Sequence, residues 1–131
     1  MNARLAELDV RLKRAYEPAA EDDGYRVLVD RLWPRGVSKE VAKIDRWLKE
    51  IAPSTALRKW FNHDPSKWEK FRVRYFRELD RNTDAVKELR ALARGKTVTL
   101  VYSAKDEEHN QAVALRDYMG AKPKRGQGDK R

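Results

Sequence analysis

The chain has 131 residues, with 30 Lys and Arg against 21 Asp and Glu, for a net charge of +9. That length suits one domain around one core, and with 39% charged residues no apolar run is long enough for a transmembrane helix or a signal-peptide core. No cysteine is present, which excludes a disulfide framework, a thiol nucleophile and a zinc knuckle.

Leu8 to Tyr16 alternates apolar Leu8, Val10 and Leu12 with charged Asp9, Arg11 and Lys13, the period of a strand with one solvated face. Glu17 to Gly24 reads as a loop. Tyr25 to Leu32 is richer in apolar and β-branched residues and reads as a more buried strand, broken at Trp33-Pro34-Arg35-Gly36. Ser38 then caps a predicted helix in which Val41, Ile44, Leu48 and Ile51 form a core-facing stripe. Pro53 stops that helix, and Ser54 or Thr55 starts a short one holding Leu57, Trp60 and Phe61.

Asp64-Pro65 is an N-cap followed by proline at the first helical position. The helix that follows, to Arg81, places Trp68, Phe71, Tyr75 and Leu79 on one face and its cations on the other. Asn82 or Thr83 caps a further helix carrying Val86, Leu89, Leu92 and Ala93, closed by Gly95. Thr97 to Tyr102 is the best strand in the chain. Ser103 or Asp106 caps a last predicted helix over 106–119, ended by Gly120. The remaining segment, 120–131, holds five Lys or Arg and one Asp and is expected to be a basic disordered tail.

This order predicts a single α/β domain over 1–119. Its sheet is small, mostly parallel and of about three strands, with flanking helices and a helical subregion at 54–94. Two of the strands end in polar clusters, Asp30-Arg31 with Trp33 and Arg35, and Ser103 with Lys105, Asp106, His109 and Asn110. If these strands run parallel, both clusters emerge at the carboxyl edge, where open α/β sheets bind ligands. Arg31 and Arg35 supply planar forks for phosphate or carboxylate, and the N–H groups opening the 106–119 helix suit an anion. Trp33 or Trp60 would stack on an apolar or aromatic part of the ligand. The structural alternative pairs Arg31 and Arg35 with Asp30 and Glu40.

His63 and His109, each beside acidic residues, are the candidate proton carriers, with Asp106 three residues from His109. Ser103 lacks a nucleophile-elbow sequence, and no metal-ligand spacing is present. The cations Lys70, Arg74, Arg77 and Arg81 line one helical face as a ridge that could follow phosphates, with Trp60 and Phe61 as stacking residues if exposed. Glu78 and Asp80 flank this ridge, as on any solvated helix face.

Five motifs occur in order: Asp30-Arg31-Leu32-Trp33-Pro34-Arg35-Gly36, Ile51-Ala52-Pro53-Ser54, Leu57-Arg58-Lys59-Trp60-Phe61, His63-Asp64-Pro65, and Lys105-Asp106-Glu107-Glu108-His109-Asn110. Through them the chain resembles the YeaO-like branch of domain-of-unknown-function family 488, from about Tyr16 to Tyr118. The resemblance implies a compact α/β fold in a small cytoplasmic prokaryotic protein and marks the motif residues as the family's site. It implies no reaction. Other branches of the wider family resemble one another in a cysteine near the end of the third strand and a Cys-His-Arg run after it. Here Tyr102 and Asn110-Gln111-Ala112 stand at those places, so thiol chemistry does not carry over.

The expectation is therefore a cytoplasmic protein with an anion-accepting crevice for a nucleotide or phosphate-bearing metabolite, with turnover left open. Arg31, Trp33, Arg35, Trp60, Ser103, Lys105 and Asn110 would bind, and His63, His109 and Asp106 would move a proton. No cofactor, metal or membrane partner is expected, and oligomeric state is not legible. The alternative is a non-catalytic nucleic-acid binder using helix 66–81 and the tail. A third reading is an interaction module with a Trp-rich face.

Overall fold

The computed structural model describes residues 8–120. Strands β1 (Asp9–Arg14), β2 (Tyr25–Leu28), β3 (Arg46–Trp47) and β4 (Thr97–Tyr102) form one sheet in the order β1-β4-β2-β3. Every neighbouring pair is parallel. The most apolar strand, β4, is flanked on both sides: Leu12 lies opposite Leu100 from β1, and Val27 lies opposite Leu100 from β2. A strand paired at both edges and covered on both faces has to be apolar along its length, which accounts for its composition.

Five α-helices accompany the sheet among the described residues: α1 (Lys39–Ala42), α2 (Thr55–Phe61), α3 (Trp68–Arg81), α4 (Thr83–Ala93) and α5 (Gln111–Met119). Side chains alternate across a strand, so Val98, Leu100 and Tyr102 point to one face of β4. That face meets the main core, where Phe71, Tyr75 and Leu79 of α3, Leu89 of α4 and Leu115 of α5 are all buried. Each such side chain contributes on the order of 2 kcal/mol by leaving water. Val101 and Leu28 point to the other face, under a smaller cluster with Ala15, Trp33, Ile44 and Trp47. None of the described helices is long and apolar enough to cross a membrane.

Gly24 enters β2 with φ +68, and a Cβ there would lie 2.3 Å from the Thr97 carbonyl oxygen. Only glycine lets this turn lie against β4.

Two predicted helices are corrected. The 38–51 stripe is not one helix: Lys43 takes a left-handed conformation (φ 49) and ends α1 after one turn. The chain then extends, with the Asp45 N–H donating to the Arg26 carbonyl at 2.9 Å and Arg46-Trp47 pairing with Val27-Leu28 as a fourth strand. The second correction concerns α5, which begins at Gln111 rather than 106. Its N-cap is Asn110, whose Oδ1 accepts from the N–H groups of Ala112 and Val113 at 2.9 and 3.0 Å. The basic segment after Gly120 lies outside the described residues.

Candidate functional site

Because all four strands are parallel, the chain leaves β2 and β4 at the same edge, and Asp30 ties the two exits together. Its Oδ2 accepts from the Ser103 N–H at 3.0 Å and from the Ser103 hydroxyl at 2.5 Å, while its Oδ1 accepts from the Gln111 side-chain amide. Asp30 is only 9% exposed. Burial pushes its carboxyl above the ordinary range, partly offset by the hydrogen bonds from Ser103 and Gln111.

Beside this knot opens a cavity of about 470 Å³, within the range of small-molecule sites. Of the residues expected from sequence, Arg31, Trp33, Arg35, His63, Ser103, His109 and Asn110 line it. The two polar clusters therefore converge. Arg58, Lys59, Asn62 and Gln111 also line it and were not singled out as ligand-binding from sequence. Arg58 and Lys59 lie in the Leu57–Phe61 motif, so the signal was present. What aims them is tertiary: the Ser54 N–H and hydroxyl donate to Glu78 of α3 at 2.8 and 2.6 Å and fix the start of α2.

The cavity wall is cationic. Arg31, Arg35, Arg58 and Lys59 face a single lining carboxylate, Asp30, whose oxygens are already bonded within the protein. Arg31 and Arg35 do not pair with Asp30 and Glu40. Arg31 donates through Nη2 to the carbonyls of Ala52 and Pro53 at 3.1 and 3.4 Å, and Arg35 is exposed. Two guanidinium nitrogens on the wall, Nε of Arg31 and Nε of Arg58, are buried with no hydrogen-bond partner. Arg26 Nη2 and Arg116 Nε, away from the cavity, are unanswered in the same way.

Asp106 and His109 are close, though not on a helix. Asp106 Oδ1 accepts from the N–H groups of Glu108 and His109, and Oδ2 meets His109 Nδ1 at 2.9 Å. The hydrogen bonds from the Glu108 N–H and the His109 side chain hold its carboxyl below the usual range. Asp106 itself orients His109 from outside the cavity lining. Of the N–H groups expected to be free, those of Glu108 and His109 are thus answered by Asp106, and those of Ala112 and Val113 by Asn110. Lys105 is exposed and does not line the cavity. Nor does Trp60, which is half-buried and lies under Arg74 and Lys67 at 4.2 and 5.0 Å, whereas Phe61, though buried in the core, borders the cavity. Trp33 lines the wall with its indole N–H held by the Val37 carbonyl at 2.6 Å.

Residues 9–131 match the family model described as the inactive DUF488-N3 subclade. The chain is 44% identical over 112 residues to the uncharacterized protein YeaO of Escherichia coli (strain K12), covering 86% of this chain and 97% of that one. It is 38% identical over 116 residues to the uncharacterized proteins Mb3100c of Mycobacterium bovis and Rv3073c of Mycobacterium tuberculosis, covering 88% of this chain and 98% of each. No solved structure matches.

Proposed function

The chain belongs to the DUF488 family, in its inactive DUF488-N3 subclade, and from that premise we propose that it binds a phosphate-bearing small molecule of the cytoplasm in the cavity at the carboxyl edge of its sheet. The observation that carries this reading is the charge of the lining, where Arg31, Arg35, Arg58 and Lys59 meet one carboxylate, Asp30, whose oxygens are already bonded within the protein. Arginine forks match phosphate oxygens, and desolvated ones bind them more strongly than exposed lysines do. Arg35 and Lys59 add charge at the same cavity. Trp33 and the exposed Leu32 give the lining an apolar part for the rest of a nucleotide or sugar phosphate.

Binding without covalent turnover fits the residues present. There is no cysteine, and the Ser103 hydroxyl is committed to Asp30. One observation favours turnover as a second reading: Asp106 orients His109 at the cavity wall, the arrangement of a base and its positioning carboxylate.

Thermal shift with nucleoside monophosphates, sugar phosphates and inorganic phosphate, against the matching nucleosides and sugars, tests both. At a hundredfold excess over Kd a ligand stabilises by about 2.7 kcal/mol. The phosphorylated compounds should shift the melt, the neutral ones should not, and Arg58→Ala should abolish the response. A response that survives Arg58→Ala, or none at all, would overturn the reading. Phosphorus NMR of the incubated ligand decides the second: an unchanged ligand means binding alone.

A further inference from the structure

The cation ridge of α3 is left unused by the cavity, and we infer that it is a docking surface for the phosphodiester backbone of a nucleic acid. Lys70, Arg74, Arg77 and Arg81 are all exposed. At 100° per residue they fall within an arc of about 60°, along about 16 Å of helix. None of the four makes an ion pair among the described residues, whereas Arg72, on the opposite side of the helix, is neutralised by Glu69 and Asp117.

An ordinary solvated face interleaves the two signs, and Glu78 and Asp80 stand at the places where they would do so. Both are drawn off. Glu78 accepts from the Ser54 N–H and hydroxyl, and Asp80 accepts from the Tyr118 hydroxyl at 2.7 Å. The line that remains is of one sign.

Trp60 supplies the second feature. The Arg74 guanidinium lies over its ring at 4.2 Å, and Lys67, whose ammonium donates to the Trp60 carbonyl at 2.9 Å, lies over it at 5.0 Å. A guanidinium held over an indole loses less rotamer freedom when it meets a phosphate. Two cations at the head of the ridge are therefore already placed. A single line of cations matches one sugar–phosphate strand, since phosphates set the affinity and carry no sequence information.

Fluorescence anisotropy of the full chain with a labelled single-stranded oligonucleotide and its duplex, over a salt series, tests this. Four ridge contacts predict a log–log salt slope steeper by about 3 than the remaining charges give, at about 0.7 per single-strand phosphate. Lys70→Gln/Arg74→Gln/Arg77→Gln should flatten the slope by about 2 and weaken binding by about tenfold or more at low salt. Circular dichroism confirms that the variant is folded. Arg58→Ala should leave the binding unchanged, so failure of the cavity reading and failure of this one are read separately. No binding at low salt, or equal slope and affinity in the triple variant, would overturn the inference. Poly-glutamate bound as tightly as the oligonucleotide would also overturn it, in favour of an acidic protein partner.

Discussion

Asp30 and Ser103, 73 residues apart, meet through two hydrogen bonds, from the Ser103 N–H at 3.0 Å and from its hydroxyl at 2.5 Å. With Gln111 on the other oxygen, one carboxylate fixes the exits of β2 and β4 and the start of α5. Removing it strands a backbone N–H and an amide near the bottom of the cavity. Asp30→Ala should lower stability by about 3 kcal/mol, and Asp30→Asn, which keeps an acceptor, by about 1 kcal/mol. Urea unfolding measures both. An unchanged midpoint in Asp30→Ala would mean that the knot does not hold the site.

The same carboxylate predicts an inverted pH dependence. Burial raises its pKa in the folded protein. Its contribution is therefore fully present below the unfolded value, about 4, and is lost as pH rises through the folded value. Asp23 runs the other way. Burial would raise it, but the Ala20 N–H, Lys13 and Arg26 outweigh that and lower it. Its contribution is present above the unfolded value and lost as pH falls through the folded one. Relative to Asp30→Asn, the native chain should lose stability as pH rises above about 4; relative to Asp23→Asn, it should lose it below about pH 4. Melting curves across that range decide the signs.

The sequence carried the elements whose period is set locally. β4 is apolar at every position but its threonines, and α3 separates its faces cleanly, so both are where composition placed them. It misled where two patterns coincide. Val41, Ile44, Leu48 and Ile51 have helical spacing, yet Val41 is 66% exposed and only Leu48 and Ile51 enter the main core. What decides is the partner strand: the Arg26 carbonyl and N–H both bond to Asp45, a contact no window of sequence contains. The candidate site divides similarly. The two strand-end clusters were legible because parallel strands share an edge. Arg58 and Lys59 were marked only by their motif, because a seven-residue helix gives no sign of its direction until Glu78 holds its first turn.

That hold makes a prediction of its own. Glu78 accepts from both donors of Ser54, which in turn caps α2 by accepting from the Leu57 N–H at 3.1 Å. Losing the carboxylate loosens the cap as well as the tie. Glu78→Ala should cost about 2 kcal/mol in urea unfolding and Ser54→Ala about the same. The double variant should cost much less than the sum, because the residues share one network. Full additivity would separate the cap from the tie.

The sharpest local conflict lies at the cavity wall. Asn62 and His63 are consecutive non-glycine residues in the left-handed region, at φ 46 and 55. Asparagine and histidine tolerate that region better than most, but each still costs roughly 1–2 kcal/mol. The turn brings the Asp64 N–H to the Phe61 carbonyl at 3.0 Å, lets Asp64 cap the next turn at Ser66, and leaves His63 on the cavity lining. Glycine at 63 removes the strain but adds about 0.5–1 kcal/mol of unfolded-state entropy. His63→Gly should therefore fold with stability within about 1 kcal/mol of the native chain, while His63→Val should lose about 2 kcal/mol. If the imidazole serves the bound anion, His63→Gly should also weaken the phosphate-dependent thermal shift. A strained residue that glycine replaces without loss of stability, but with loss of binding, is held there for the ligand. Should His63→Gly instead destabilise the chain by well over 1 kcal/mol and leave the phosphate-dependent shift intact, the imidazole is a structural part of the turn.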